Sequence, residues 1–184
     1  CFLPDLTRLA SGSSTTNLPD AHIGNIVIKS KPSSKKTANH WKTMEECPLT
    51  DFALDPRLEK DSISVMQTGL CDLRLSKDAR WPWLILIPRR AGITEIFELT
   101  PLDQVMLTFE TEVVASALKK LTGATKINVG ALGNIVRQLH VHVIARFEGD
   151  ANWPGPIWGF GTAEPYEDGK REQFIATLRE ALSS

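Results

Sequence analysis

Apolar and polar positions alternate most regularly over Gln138 to Ile144, where Leu139, Val141 and Val143 oppose Gln138, His140 and His142. Period two marks a strand with one face in a core and the other free for chemistry. Side chains two apart on a strand stand about 6.5 to 7 Å apart, so two imidazoles and a carboxamide can act on one small ligand. Earlier, Asp55-Pro56 turns the chain into Arg57 to Lys60, and Ile63 and Val65 alternate until Gly69 interrupts them. Cys71, Leu73 and Leu75 alternate with Asp72, Arg74 and Ser76, the pattern of a half-buried strand. Trp83 to Ile87 runs apolar without alternation, as expected of a central strand covered on both faces, and Pro88 to Gly92 stops it. Thr100-Pro101-Leu102-Asp103 reads as a helix start, with Thr at the N-cap and Pro at the first helical position. Leu102, Val105, Met106, Phe109, Val113, Ala117 and Leu118 supply the apolar stripe of that helix, and Gly123 its stop. Lys126 to Val129 is a short strand and Gly130 to Asn134 a tight connection out of it. Gly149 to Gly159 is a rigid loop carrying Trp153 and Trp158, and Phe174, Ile175, Leu178 and Leu182 stripe a closing helix. This order predicts an α+β domain with a mainly antiparallel sheet.

Residues 1–49 do not share the patterning. Ser11 to Thr16 and Ser30 to Thr37 are poor in large apolar residues, which predicts a flexible or poorly ordered extension before a domain over residues 50–184. The 21 basic and 22 acidic residues leave a net charge of -1. That balance argues against a broad electrostatic footprint for extended nucleic acid, while leaving room for a pocket that takes one phosphate. Cys1, Cys47 and Cys71 are scattered and form no CxxC pair, so a disulfide framework or zinc knuckle is not expected, and the expected setting is cytoplasmic. No apolar run approaches the ~20 residues that span a bilayer, so no membrane partner is expected. A chain that starts at Cys1 rather than Met reads as a fragment, a processed form or an unusual gene product.

The histidine stretch admits three chemistries. His140 and His142 can ligate a metal as an HxH pair, though no third ligand stands at an obvious spacing. They can be structural, satisfied by backbone and solvent. Or one imidazole is a nucleophile or general base while a protonated neighbour stabilises an anionic group, with Gln138 and Asn134 as nearby donors for phosphate oxygens. Gly133 either lets backbone N–H groups approach a ligand or simply makes a turn. Arg89-Arg90 either steers an anion or is a solvated strand end. His22 and His40 read as solvated, and Cys71 as a small buried apolar residue.

Gln138-Leu-His-Val-His-Val-Ile144 resembles the signature of the histidine triad (HIT) superfamily, His-φ-His-φ-His-φ-φ with φ apolar. The resemblance covers residues 52 to about 160. It takes in the strand at Leu84 to Pro88, the long helix, the Asn128…Gly133-Asn134 approach and the Trp153-Pro154 loop, and it looks most like a bacterial-type branch. It implies a five-stranded antiparallel sheet, a homodimer, and nucleotide hydrolase or transferase activity through a nucleotidyl-histidine intermediate. The implied substrates are nucleoside phosphoramidates or dinucleoside polyphosphates, with no metal or other cofactor required. His140 takes the place of the family's nucleophile and His142 that of its phosphate-binding third histidine. Asn128 falls near the nucleophile, Gly133 and Asn134 in the phosphate-contacting segment, and Trp153 joins them as a nucleotide-binding candidate. Asp78, or Lys77 in another register, falls where the family holds the ribose hydroxyls. Gln138 departs from the pattern by standing at the first histidine, where a carboxamide cannot carry a proton at neutral pH.

Overall fold

The computed structural model describes residues 51–183. The expected extension over residues 1–49 therefore lies outside the described residues, as do His22, His40, Cys1 and Cys47. The elements in chain order are α1 (Pro56–Asp61), β1 (Ser62–Gln67), β2 (Cys71–Ser76), β3 (Trp83–Pro88), a 3₁₀ turn (Ile96–Glu98), α2 (Pro101–Thr122), β4 (Lys126–Gly130), β5 (Val141–Arg146) and α3 (Lys170–Ser183). The strands form one five-stranded sheet in the order β1-β2-β3-β5-β4, and each adjacent pair is antiparallel. The α+β expectation and its five-stranded sheet hold.

Local chemistry explains the element ends. Asp55 caps α1 by accepting from the Arg57 N–H at 2.9 Å. Thr100 caps α2 through its Oγ1, which accepts from the Asp103 N–H at 3.2 Å, and Gly123 closes that helix in the left-handed region at φ 67.

Side-chain parity divides the sheet into two faces. Leu73, Leu75, Leu84, Leu86, Val141, Val143 and Ala145 point to one face, where Leu107, Val114 and Leu118 of α2 and Ile175 and Leu178 of α3 complete a single core. On the opposite face two smaller clusters form. Ile85 and Ile87 pack with Phe52, Leu54 and Leu58 from the segment around α1. Ile144 packs with Trp81, Trp83, Ile157 and Trp158, which brings the loop after β5 against the sheet. β3 sits in the middle of the sheet, as its unbroken apolar run requires.

Three expectations change. β2 is buried along its whole length rather than on one face, because Arg74 and Asp72 neutralise each other at 2.9 Å while Arg74 also donates to the Ser62 hydroxyl. The ladder of β5 begins at Val141, so Gln138 and His140 stand in the irregular approach to the strand and the connection from β4 is longer than a tight turn. Finally, α2 buries Asp103, Leu107, Glu110, Val114 and Leu118, while Leu102, Val105, Phe109 and Val113 of the expected stripe lie exposed, at 70%, 64%, 58% and 39%. The two acids are tolerated inside because each has built partners. Asp103 accepts two bonds from Arg90, and Glu110 accepts from the backbone N–H groups of Leu70 and Cys71 and from the Thr68 hydroxyl.

Candidate active site

Ladder register places the site. Ile85 of β3 and Gly130 of β4 both stand opposite His142, so the His142 side chain rises from the middle of the face opposite α2 and α3. His140 precedes the strand on the same parity. The two imidazoles meet edge to face with centroids 4.8 Å apart, and both are nearly buried, at 6% and 7% exposure.

Hydrogen bonds assign different work to the two rings. His140 Nδ1 lies 2.6 Å from the Gln138 carbonyl oxygen. A carbonyl can only accept, so Nδ1 carries a proton, and whenever the ring holds a single proton Nε2 keeps the lone pair. His142 Nδ1 instead faces the Trp83 indole N–H at 2.9 Å. Burial, and secondarily the neighbouring His140, pushes the pKa of His142 down to about 3. In the free site His142 is therefore neutral, and the expectation of a protonated neighbour gives way to a neutral donor.

A cavity of about 640 Å³ opens beside His140. It is lined by the 131–134 stretch, including Gly133 and Asn134, by Arg137, Gln138 and Leu139, and by Thr94 to Phe97 across from them. Its size suits a nucleotide-sized ligand. A second cavity of about 650 Å³ lies against Tyr166, Lys170 and Phe174, and among the described residues no histidine or cysteine lines it. Among the described residues no group of three or more His, Cys, Asp or Glu is arranged to hold a metal ion.

The expected site residues separate into those that converge and those that do not. His140, Gln138, Gly133 and Asn134 line one cavity, while His142 is not among its lining residues and meets it only through its ring contact with His140. Gln138 is also structural. Its Oε1 accepts from the Asp55 N–H at 2.8 Å and its Nε2 donates to the Ala53 carbonyl at 2.9 Å, pinning the segment before α1 beside the histidines. A Cβ on Gly133 would meet nothing closer than 3.7 Å, so no steric demand explains that glycine.

Asn128, Asp78 and Trp153 do not line this cavity. Asn128 Oδ1 accepts from Arg146, whose guanidinium is held by Asp150 and lies 5.6 Å from the Trp153 ring. Asp78 is buried and paired with Arg80, which holds its carboxyl below the usual range against the opposing cost of burial. Arg89 donates to the Thr68 and Gly69 carbonyls, and Arg90 ties β3 to α2, so the arginine pair braces the strand end. Burial raises the Cys71 thiol well above its ordinary pKa, in keeping with an inert packing residue.

Three side chains near the histidines are not evident from spacing. Trp83 shares the parity of Ile85 and so reaches His142 diagonally across the β3–β5 pair. Trp158, not Trp153, is the loop aromatic beside His142, with centroids 6.1 Å apart. Gly130 makes room for it, since a Cβ there would lie 2.8 Å from the Trp158 ring. Among the described residues Arg137 is the cavity's one permanently cationic lining residue, and its signal is adjacency to Gln138.

The fold is a five-stranded antiparallel α+β sheet, and it carries an HxH pair whose first histidine lines a nucleotide-sized cavity. Comparisons with known proteins narrow this further. The HIT domain model matches residues 57–149. A histidine triad protein of Sinorhizobium meliloti 1021 has a solved structure that is 65% identical, covers 72% of this chain and 98% of its own, and superposes with a TM-score of 0.71. Histidine triad proteins of Bradyrhizobium japonicum and Marinobacter aquaeolei VT8 are 41% and 42% identical, cover 71% and 72% of this chain and 98% and 96% of their own, and each superposes with a TM-score of 0.70. No curated protein sequence matches the chain. The chain belongs to the HIT family. Members of that superfamily are, in general, nucleotide-binding hydrolases and transferases, and membership supports that broad class here.

Proposed function

We propose that the protein transfers nucleotidyl groups to water or another acceptor through a covalent intermediate on His140. The substrates are nucleoside phosphoramidates or dinucleoside polyphosphates. The observation that carries this reading is the His140 Nδ1 contact to the Gln138 carbonyl, which leaves Nε2 of the neutral ring as a lone-pair donor beside a cavity of suitable size. In the first step the Nε2 lone pair forms a bond to the α-phosphorus, and the bond to the leaving group breaks with its electron pair on that group, which departs as a phosphate or, taking a proton from solvent onto its nitrogen, as a neutral amine. In the second step water attacks phosphorus, the P–N bond breaks with its pair returning to Nε2, and the proton of the water passes to solvent. His142 donates a hydrogen bond to a phosphate oxygen, and Asn134 and Arg137 supply further donors. Gln138 occupies the first position of the triad, where it accepts the His140 proton contact through its backbone and anchors residues 53–55 through its side chain.

The homodimer belongs to the same proposal. Exposed Leu102, Val105, Phe109 and Val113 recur at helical spacing on α2, an apolar stripe of the sort that monomers rarely leave bare. Val105→Glu with Phe109→Glu is expected to halve the mass measured by light scattering. An unchanged mass would remove the α2 face from the interface.

The activity is tested by a panel of phosphoramidates and dinucleoside polyphosphates assayed in ¹⁸O-water. Nucleoside monophosphate carrying the label in its phosphate is the expected product. A panel with no turnover, on protein that still binds nucleotide, favours a non-catalytic nucleotide-binding protein and overturns the proposal.

A further inference from the structure

We propose that Trp83 is a positioning residue for the histidine pair: its indole N–H locks His142 into the tautomer that carries its proton on Nε2. The catalytic consequence rests on the function proposed above, while the tautomer itself does not. An indole nitrogen can only donate, so the 2.9 Å contact makes His142 Nδ1 the acceptor and leaves the ring proton on the opposite nitrogen. The alternative tautomer would set two N–H groups against each other in a site where His142 is 7% exposed.

The fold builds this contact from register. Ile85 is paired with His142 and Trp83 with Ile144, so the indole lies diagonally across one face from the imidazole, within reach of an aromatic side chain. Ring turning is opposed from several sides. Trp83 stands 5.3 Å from His142 at 65°, His140 4.8 Å at 90°, and Trp158 6.1 Å at 55°. From β4 the facing residue is Gly130, whose missing side chain lets Trp158 close in. His140 is the titratable group that acts on His142 electrostatically.

The two neighbouring imidazoles thus present complementary atoms. His140 offers an Nε2 lone pair and His142 an Nε2–H that can bond a phosphate oxygen without carrying a charge. Such a donor stays in the same form throughout the neutral range, so His142 adds no limb of its own to a pH–rate profile there.

Side-chain ¹⁵N NMR of the full chain tests this, with His142 resonances assigned by their loss in His142→Gln. The expected wild-type spectrum shows a neutral, Nε2-protonated His142 from pH 8 to pH 5. In Trp83→Phe, which keeps an aromatic ring but removes the donor, the ring is expected to populate both tautomers and to titrate at least one pH unit higher. A wild-type His142 that is Nδ1-protonated, or cationic at pH 6, overturns the proposal, as does an unchanged His142 in folded Trp83→Phe. Should Trp83→Phe fail to fold, the wild-type spectrum decides alone. On an active substrate, Trp83→Phe is expected to lower kcat roughly tenfold to a hundredfold with little change in KM. A preserved kcat overturns the catalytic role of the lock. Absence of turnover in wild type would sink the proposed activity while leaving the tautomer result intact.

Discussion

The two faces of the sheet are stabilised by different means. On the helix-covered face, β5 contributes Val143 and Ala145 to one continuous apolar core, and both are fully buried. On the other face the same strand contributes His142, Ile144 and Arg146, and among the described residues no helix of comparable length covers them. Cover comes instead from the segment before α1, held by Gln138, and from the loop after β5, held by Arg146 through Asp150 and the Gly155 carbonyl. The helix face tolerates change wherever volume is kept. The site face depends on a few specific hydrogen bonds, and its histidines owe their tautomers to two of them.

The largest stability effect that would sharpen this contrast belongs to Arg146→Ala. Arg146 is 1% exposed and its removal leaves the Asp150 carboxylate buried without its partner, for which a loss of about 3–5 kcal/mol is expected in urea unfolding. A loss below about 1 kcal/mol would contradict the role given to that pair. Arg146 holds the Asp150 carboxyl below its usual pKa, against the cost of burial. A carboxyl whose folded pKa is lowered stabilises the protein above its unfolded pKa, and that contribution fades as pH falls below about 4. Arg146→Ala should flatten this part of the acid limb.

On the helix face, Leu86→Ala is expected to cost about 3 kcal/mol while leaving the ionisation of His142 untouched. Coupled changes at His142 would show that the faces are not independent.

His142 gives the next effect, spread over pH. Its folded pKa is about 3 against about 6.5 when unfolded, so between those values the unfolded chain binds an extra proton and stability falls as pH falls. The expected slope from pH 6 to pH 4.5 is about 1.4 kcal/mol per pH unit, and His142→Gln should remove it. Equal slopes in the two proteins would refute the buried neutral ring.

The smallest effect belongs to Gln138→Ala. Loss of two hydrogen bonds to Ala53 and Asp55 is expected to cost about 1–2 kcal/mol and to raise hydrogen exchange over residues 52–58 more than elsewhere. Uniform exchange would mean that Gln138 does not pin that segment.

The sequence was informative where structure is made locally. The Thr100 cap, the Gly123 stop and the covered strand at β3 all follow from neighbours a few residues apart. The HxH pair and the cavity residues Gly133 and Asn134 were legible because they lie on one short stretch. The buried face of α2 was not, because the helix carries two apolar stripes. Choosing between them depends on Arg90 and on the turn before β2, which satisfy Asp103 and Glu110. Trp83 was read only as the start of a covered strand and Trp158 only as an aromatic of a rigid loop. Their roles beside His142 arise from strand register and from the close approach at Gly130, neither of which is encoded in local spacing. Asp78 and Trp153 were plausible by position along the chain, yet each is drawn to an arginine that the linear pattern did not connect to it.

The central claim is that His140 Nε2 forms the covalent bond, and rapid quench followed by mass spectrometry tests it most directly. With a nucleoside phosphoramidate, wild-type protein is expected to gain one nucleotidyl group on the peptide carrying His140, with no adduct on His140→Ala. Turnover without that adduct, or an adduct that persists in His140→Ala, would contradict the account.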